Sequence, residues 1–500
     1  MKPIVIIINL LFFFLTSCVN DTGNYTYLSA EDVLPIEIKG LQEDLSVIQG
    51  ERLRISPSIE KMDDPARYTY IWYVTEAQTA GALPIKTNIG NEKILDVKIN
   101  LDAGSYLLNF MVMDEKKDIY KRKQVKLEVR ASNMSTGWYV LKDQNNETDF
   151  DYIDSEGTIY EDVLAKGGNQ LKGKAVGMSY QSGRYYHNMV SNTGVITKLT
   201  NQKVFHVLST EDIRTFNAQN MLLFKKYEDE FYSLPPVCNP QGVISQSTDG
   251  NAFLLNAGKL HSIYGMSPNI GKFCAAKVGE YSLFPSLIPI NFFGDVLIFD
   301  ILKHNFYTSS TAGTSVDFVN DQKIENTTIS LTNMPFEMIN MSAGSADINN
   351  AKQAFALMKN TENGTYRIAQ IPYNSSKIFN NFNIVPNDAM IIQSKVIAAP
   401  SSGNFVYFAI ANKIYYYMNA TGLKEKEKLI TTIPENEDIY FMNHIYTKKM
   451  NVLAVLTNTA NNWKLYLYPI ESIGNPELIT KPQSVFTGSG TGRFLIYRDK

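Results

Sequence analysis

The chain has 500 residues, and its 47 basic and 50 acidic side chains give a formal net charge of −3. The densest basic run, Lys116 to Lys126, is interrupted by Asp118. Nucleic acid is therefore not expected as a partner. The composition is rich in aromatic residues, with 29 Tyr and 26 Phe, and in β-branched residues, which is typical of pleated, half-buried surfaces. These features predict an almost entirely β fold.

The first residues form a short apolar segment that ends at a cysteine. Lys2 provides the positive start, Ile4 to Leu15 form the apolar core, and Leu15-Thr16-Ser17-Cys18 resembles the lipobox of bacterial lipoproteins. An apolar run this short does not cross a hydrocarbon layer of ~30 Å as a permanent helix. We predict a signal peptide at 1–17 and acylation of Cys18, which would anchor the chain to a lipid bilayer.

A polar, turn-rich stretch at 18–28 follows and is predicted to be a tether. Short strand-like runs then continue to residue 131, one of which, Tyr68 to Val74, carries Trp72. About seven short strands in roughly a hundred residues, with a tryptophan in a middle strand, predict an immunoglobulin-like β-sandwich at 29–131. The predicted strands are Val33 to Ile38, Leu45 to Ile48, Leu53 to Ile59, Tyr68 to Val74, Ile94 to Ile99, Leu107 to Met113 and Gln124 to Val129.

From residue 134 onward the chain consists of paired short strands with polar turns between them. Asn404 to Ile410 is followed by Ile414 to Met418, and Asn451 to Leu456 is followed by Trp463 to Tyr468. A strand unit that recurs at about 45–50 residues is typical of propeller blades. Residues 134–500 are therefore predicted to form a β-propeller-like domain of about seven degenerate blades. A chain of further β-sandwiches is the competing architecture.

Several segments resemble the PKD-like family of lipoproteins found in Bacteroidetes. In chain order, these segments are Asp21 to Tyr25 in the tether, Tyr70-Ile71-Trp72, Gly104-Ser105-Tyr106 with Val112-Met113-Asp114, and Gly137 to Leu141 with Asp149 to Ile153. Phe486 to Tyr497 is similar to the last strands of that family. Gly490 to Arg493 departs from its pattern, which leaves closure of the last blade open.

The resemblance implies an accessory lipoprotein of the outer membrane, on the cell-surface or periplasmic face. Its expected partners are SusC/SusD-type outer-membrane proteins and a polysaccharide or peptide, and its expected role is non-catalytic binding or scaffolding in nutrient uptake. One alternative is an extracellular glycoside hydrolase or lyase that uses carboxylates on the propeller face. A purely structural subunit of an uptake complex is the other alternative.

The search for catalytic motifs favours neither a metalloenzyme nor a nucleotide-binding protein. The five histidines lie far apart and form no H-E-x-x-H pattern, and each is expected to be an ordinary strand or turn residue. The chain also has no G-x-S-x-G elbow, P-loop or Rossmann fingerprint. No cofactor and no metal are expected, and no catalytic residue is assigned.

Acidic residues could serve as calcium ligands or as a hydrolase pair. Asp149, Asp151, Asp154 and Glu156 lack the spacing of a calcium loop. Because Asp149 and Asp151 alternate with aromatic residues, we expect a strand with a solvated acidic face. The carboxylates that could serve a glycosidase are scattered along the chain, and the sequence favours no pair among Asp295, Asp300 and Glu337.

Aromatic side chains suggest a binding site instead, because exposed rings stack on sugars and anchor peptide side chains. Tyr185, Tyr186 and His187 couple rings with hydrogen-bonding groups and are the candidate ligand-binding residues. Cys238 and Cys274 either form one disulfide or remain free thiols.

Overall fold

The computed structural model describes residues 34–48, 50–76, 86–99, 101, 104–130, 136–181, 185–191, 194–200, 203–218, 221–245, 250–265, 271–290, 295–324, 327–344, 353–372 and 377–499. The chain divides into two compact units, Met1–Arg130 and Ala131–Lys500. The described helices are short 3₁₀ turns at Pro65–Arg67, Ala165–Gly167, Tyr227–Asp229 and Met390–Gln393. Within these ranges, no helix has the length and apolar character needed to cross a membrane.

The first unit is a β-sandwich of nine described strands. These are β1 (Glu37–Lys39), β2 (Asp44–Ile48), β3 (Arg52–Ile55), β4 (Ser58–Glu60), β5 (Tyr68–Glu76), β6 (Lys86–Gly90), β7 (Leu95–Lys98), β8 (Gly104–Asp114) and β9 (Ile119–Arg130). The main sheet has the order β2-β9-β8-β5-β6, with β2 parallel to β9. The smaller sheets pair β1 with β4 and β3 with β7.

Trp72 lies at the centre of the sandwich core. Its ring stacks on Phe110 of β8 with 4.2 Å between centroids, and Leu53 and Leu95 of the β3–β7 sheet belong to the same buried cluster. The predicted run from Leu53 to Ile59 is split into two strands, and Pro57 lies in the gap. Proline has no N–H to donate to a strand ladder, which accounts for this break.

The described second unit contains seven sheets of three to five strands in chain order, here called blades 1 to 7, and two additional hairpins. Blade 1 contains β10 (Gly137–Gln144), β11 (Glu147–Asp154), β12 (Ile159–Tyr160), β13 (Leu171–Lys172) and β41 (Thr491–Arg498). Blade 2 contains β14 (Ala175–Gln181), β17 (Val204–Ser209), β18 (Ile213–Asn217) and β19 (Leu223–Lys225). The hairpin of β15 (Tyr185–Ser191) and β16 (Gly194–Thr200) is inserted between β14 and β17. Blade 3 contains β20 (Pro240–Ser245), β21 (Ala252–Asn256) and β22 (Lys259–Ile263).

Blades 4 to 7 have four strands each. Blade 4 contains β23 (Ile288–Pro289), β24 (Asp295–Asp300), β25 (Asn305–Ser310) and β26 (Asp317–Phe318), and is followed by the hairpin of β27 (Gln322–Ile324) and β28 (Thr327–Ile329). Blade 5 contains β29 (Phe336–Ala343), β30 (Gln353–Asn360), β31 (Tyr366–Pro372) and β32 (Asn381–Val385). Blade 6 contains β33 (Val396–Ala398), β34 (Phe405–Ile410), β35 (Lys413–Met418) and β36 (Glu427–Thr432). Blade 7 contains β37 (Asp438–Tyr446), β38 (Asn451–Asn458), β39 (Asn462–Pro469) and β40 (Ser484–Ser489).

Seven hydrophobic clusters join these sheets into a closed ring. Each cluster contains buried residues from two successive blades, and the seventh joins blade 7 to blade 1. Representative members, in ring order from the blade 1–blade 2 cluster, are Tyr139 with Phe205, Leu208 with Leu254, Phe253 with Ile298, Leu297 with Ala356, Phe355 with Phe408, Tyr407 with Leu453, and Leu456 with Val140. This arrangement confirms the predicted propeller of seven blades.

The last strand closes the ring. Strand β41 pairs antiparallel with β10, so the C-terminal segment completes a blade whose other strands begin the unit. Gly490 turns the chain into β41 with a φ of 87°. Gly492 lies so close to Trp463 that an added Cβ would come within 2.9 Å of the tryptophan Cβ. The stretch that departs from the family pattern therefore forms the turn and the beginning of the closing strand.

Candidate functional site

The residues singled out from the sequence lie partly outside the described structure. Cys18 lies there, as do the predicted signal peptide and tether. Tyr185, Tyr186 and His187 begin strand β15, and their backbone pairs with Thr200, Leu199 and Lys198 of β16. Their side chains lie outside the described residues, so their assignment as ligand-binding residues stays a prediction.

The expectation of a solvated acidic face on β11 is wrong. Asp149 and Asp151 are 2% and 0% exposed, because both faces of this strand are covered inside the propeller. The Asp149 carboxylate accepts hydrogen bonds from the backbone N–H groups of Phe150, Leu164 and Ala165 at 2.7, 2.8 and 3.0 Å. Burial raises the pKa of Asp149, and these three donors partly offset that effect.

Asp151 is the centre of a buried ionic cluster at the ring closure. Lys142 Nζ lies 2.7 Å from Asp151 and 2.8 Å from Asp162, and Trp463 of blade 7 donates to Asp151 from Nε1 at 2.8 Å. Burial disfavours the charge of Lys142, but the two carboxylates outweigh it and raise the pKa of the lysine. Both carboxylate oxygens of Asp151 accept hydrogen bonds within the protein, one of them from Trp463 of blade 7, so we assign this cluster to holding blades 1 and 7 together.

The carboxylates considered for hydrolysis serve separate roles. Asp295 and Asp300 lie at opposite ends of β24, about 17 Å apart at the usual rise of a strand. Asp300 accepts from the backbone of Ser282 and Leu302, both at 3.0 Å. Glu337 forms an ion pair with Lys359 at 3.6 Å. Asp295 and Asp300 are thus too far apart to flank one glycosidic bond.

The described histidines are strand or turn residues, as expected. His206, His261 and His444 lie on β17, β22 and β37 and are buried, whereas His304 lies in the turn after β24. His206 contacts Thr215 Oγ1 at 2.8 Å and Gln181 Oε1 at 2.7 Å, and burial lowers its pKa to about 3. Within the described ranges no group of three or more histidine, cysteine or acidic side chains is placed to hold a metal ion.

A candidate ligand site in the described structure is a cavity between blades 3 and 4, which we call the rim pocket. Its volume is about 390 Å³, within the range usual for small-molecule sites. It is lined by Tyr232, Tyr264, Lys272, Cys274, Ala275, Ala276, Lys277, Val278, Thr311, Ala312, Gly313 and Thr314. The sequence pattern does not indicate it, because its walls come from four separate segments of the chain.

One irregular segment builds the wall of the rim pocket. Residues 273–278 run along β22, where the backbone N–H groups of Cys274 and Lys277 donate to Ser262 and Leu260 at 2.9 and 2.8 Å. Val278 continues to blade 4 and donates to the carbonyl of Thr314 at 2.8 Å. This segment takes the edge position that a fourth strand occupies in the other blades, and its irregular path leaves room for the cavity.

Two tyrosine rings at the rim pocket are partly open to solvent. Tyr232 is 49% exposed and Tyr264 is 39% exposed. The backbone of Tyr232 is held by a hydrogen bond from its N–H to the carbonyl of Phe273 at 3.1 Å. Phe231, the preceding residue, packs on Phe273 with 5.8 Å between ring centroids. The segment that carries Tyr232 is therefore anchored in the core while its ring remains accessible.

The charged groups lining the rim pocket are two lysines. Lys277 is buried and donates to the carbonyls of Ser310 at 3.2 Å, Thr311 at 3.3 Å and Gly313. Burial lowers its pKa. The Lys272 side chain is half-buried and has no hydrogen bond or ion pair among the described residues.

Contacts from Lys225 and Glu230 support the segment that leads into the pocket wall. Lys225 Nζ donates to the carbonyl of Gly271, and the backbone of Phe273 donates to the carbonyl of Glu230 at 2.7 Å. Glu230 is fully buried, and burial raises the pKa of its carboxyl group, while the nearby Lys225 opposes this shift. These contacts hold Gly271 and Phe273, which flank Lys272 in the segment before Cys274.

Cys238 and Cys274 are free thiols, so the disulfide that the sequence left open is not formed. Both are half-buried. Cys238 contacts the carbonyl of Glu211 at 3.2 Å, and Cys274 lies in the wall of the rim pocket. A reagent that modifies Cys274 would therefore enter the pocket.

Comparison with solved structures finds propeller-like proteins of low sequence identity. A quinoprotein alcohol dehydrogenase-like protein from Bacteroides thetaiotaomicron is 16% identical, with a TM-score of 0.44, over 92% of this chain and 97% of that one. The WD40 domain of SCAP from fission yeast is 11% identical, with a TM-score of 0.33, over 57% and 71%. PorZ, a surface component of the type-IX secretion system of Porphyromonas gingivalis, is 10% identical, with a TM-score of 0.31, over 79% and 50%.

Comparison with curated protein sequences finds no match. Comparison with protein families finds the PKD-like family, which matches residues 18–175. This match covers less than half of the chain, from the predicted lipid cysteine to the first residue of blade 2. Residues 18–175 therefore carry a PKD-like family domain.

Proposed function

We propose that this protein is a lipid-anchored protein of the outer membrane that binds an extracellular ligand without turning it over. The rim pocket is the observation that carries the proposal. It combines a cavity of about 390 Å³ with two partly exposed tyrosines and two lysines. Such a mixture of aromatic faces and a few polar groups suits recognition of a small polar ligand.

The proposed setting is a nutrient uptake system. The lipobox-like Leu15–Cys18 supports anchoring through an acylated Cys18, and the PKD-like match begins at that cysteine. The resemblance to PKD-like lipoproteins supports SusC/SusD-type proteins as partners. In this proposal the propeller delivers a captured glycan or peptide to the transporter, and the membrane anchor keeps the two close together.

Two experiments test the proposal in cells. Growth with an alkyne-labelled palmitate should label the wild-type protein and leave the Cys18→Ala variant unlabelled. Affinity purification of the wild-type protein from detergent extracts should recover a membrane protein of the size of a TonB-dependent transporter. Mass spectrometry then identifies this protein. Labelling of the Cys18→Ala variant to the wild-type level would contradict the proposed anchor.

Ligand binding is tested with the full chain in detergent on an array of polysaccharides and peptides. Each bound compound is then incubated with the protein, and the mixture is analysed for shortened products. We expect binding that is lost in the Tyr232→Ala/Tyr264→Ala variant and retained in Tyr120→Ala, a control at an exposed tyrosine of the first unit. Products that appear with time would instead favour the hydrolase alternative.

A further inference from the structure

The charges that line the rim pocket are all positive. Among the described residues that line it, Lys272 and Lys277 carry the charges and none is an aspartate or glutamate. Glu230, which is buried next to Lys225, and Asp317, which is close enough to Lys277 to oppose the lowering of its pKa, are not among the described lining residues. A cavity with this lining favours an anionic ligand over a neutral or cationic one.

The two lysines have different roles. All three protons of the Lys277 ammonium group are directed at the carbonyl oxygens of Ser310, Thr311 and Gly313, so this group holds the 310–313 turn. Lys272 is half-buried on the pocket wall without an anionic partner among the described residues. Its ammonium group is therefore the one that an incoming carboxylate can contact.

The uncharged lining indicates the kind of anion. Tyr232 and Tyr264 offer aromatic faces that stack on the apolar side of a sugar ring, and Thr311 and Thr314 can contribute hydroxyl groups. The cavity has room for a small ligand unit rather than a folded peptide element. We propose that the rim pocket recognises a uronic acid residue of an anionic polysaccharide. In this arrangement the sugar ring packs on the tyrosines and its carboxylate pairs with Lys272.

This inference rests on the proposed binding function and adds the chemical class of the ligand. The test compares two trisaccharides that differ at C6, trigalacturonate and α-1,4-galactotriose, by isothermal titration calorimetry with the full chain in detergent. Trigalacturonate should bind at least tenfold more tightly, because only this ligand carries the carboxylates. Its affinity should fall as NaCl rises from about 50 mM to about 500 mM, since screening weakens a partly exposed ion pair.

Variants at the rim pocket test whether its residues cause the preference for trigalacturonate. Lys272→Gln should lower trigalacturonate affinity about tenfold, and Lys272→Arg should restore most of it, because the charge returns. Lys303→Gln, at an exposed lysine in the turn after β24, is the matched control and should bind like wild type. Tyr232→Ala/Tyr264→Ala should abolish binding of the trisaccharide. The thermal unfolding midpoint of each variant shows that the protein remains folded.

The outcomes separate this inference from the proposed function. Equal affinity for the two trisaccharides, with no effect of Lys272→Gln and full loss in the double tyrosine variant, would overturn the anionic preference and leave a neutral-glycan binding site. Binding of a triglutamate peptide as tight as that of trigalacturonate, unchanged in the double tyrosine variant, would overturn recognition of a sugar. Failure of every array compound and both trisaccharides to bind would overturn both proposals.

Discussion

Replacing Lys142 with methionine should destabilise the propeller strongly. The substitution keeps the length and apolar character of the side chain while removing an ammonium group that is 1% exposed. Asp151, which is 0% exposed, would keep only the donors Trp463 Nε1 at 2.8 Å and the backbone of Asp162 at 2.9 Å. Breaking a buried ion pair from one side costs about 3–5 kcal/mol, because the remaining charge is buried without compensation.

The measurement is urea unfolding of the full chain followed by tryptophan fluorescence. Trp138 and Trp463 report on the second unit and Trp72 on the first, so the affected transition can be assigned with Trp72→Phe as a background. Lys428→Met is the matched control, since Lys428 forms a 2.6 Å ion pair with Glu477 but is 58% exposed. Exposed pairs of this kind contribute little to stability, so Lys428→Met should unfold like the wild type.

A double variant tests the reason for the loss. Lys142→Met/Asp151→Asn removes both charges, and its single side-chain oxygen can accept from Trp463 or from the backbone N–H of Asp162 but not from both, so it should recover about 1 kcal/mol relative to Lys142→Met alone. A cost below about 1 kcal/mol for Lys142→Met would refute the reasoning. A double variant that is as unstable as the single variant would also refute it, because the penalty could not then come from an unpaired carboxylate.

Three further predictions concern the propeller. Gly488→Ala should destabilise it by about 2 kcal/mol or more, because the new Cβ would lie 2.5 Å from the Trp463 ring. Gly177→Ala is the control and should have little effect in the same urea experiment, since no atom lies within 4 Å of the added Cβ. His206 is protonated in the unfolded chain below about pH 6.5 but in the folded protein only near its lowered pKa of about 3. The free energy of unfolding of the wild type should therefore fall relative to that of His206→Asn by about 1.4 kcal/mol for each pH unit between about pH 6 and 4. Urea unfolding at several pH values measures this dependence. The same pH dependence in both proteins would contradict the buried neutral imidazole. Burial raises the pKa of Cys238 to about 11. Iodoacetamide at about pH 8 should therefore alkylate Cys238 at least tenfold more slowly in the native protein than after unfolding, as measured by peptide mass spectrometry. Equal alkylation rates would contradict the buried environment of this thiol.

Strand pairs of the propeller could be predicted from the sequence because their signals are local. Phe405–Ile410 and Lys413–Met418 form β34 and β35, close to the predicted bounds, since an apolar run, a short turn and an aromatic run are contained in fourteen residues. Trp72 was likewise placed correctly in a middle strand of the sandwich. Lys86–Gly90, a strand with three exposed residues, was missed because it lacks apolar alternation.

Burial of the acidic strand could not be predicted, because it depends on distant partners. The alternation of Asp149 and Asp151 with aromatic residues predicted one solvent-exposed strand face, but each propeller blade is covered on both faces by its neighbours. Asp151 is compensated by Lys142 on the adjacent strand and by Trp463, which is 312 residues away in the chain. Lys142, directly after the buried run Trp138–Leu141, was the local signal available, but its role depends on ring closure, which the sequence does not show.

The rim pocket was hidden from the sequence for a similar reason. Tyr232, Lys272 and Thr314 belong to three segments that carry no regular strand pattern and meet only because blades 3 and 4 are neighbours in the ring. The candidate hairpin with Tyr185 and Tyr186 was easier to notice, since its rings are consecutive in the chain. Consecutive aromatic residues thus indicated the β15–β16 hairpin as a binding site, whereas the rim pocket forms only through tertiary packing.

The most direct test of ligand capture by the propeller is a crystal structure of the full chain with trigalacturonate bound. We predict density for the sugar in the rim pocket, against the rings of Tyr232 and Tyr264 and with a carboxylate at Lys272 Nζ. Density for an intact trisaccharide on the β15–β16 hairpin or at the propeller axis, with the rim pocket empty, would contradict the assignment of this site.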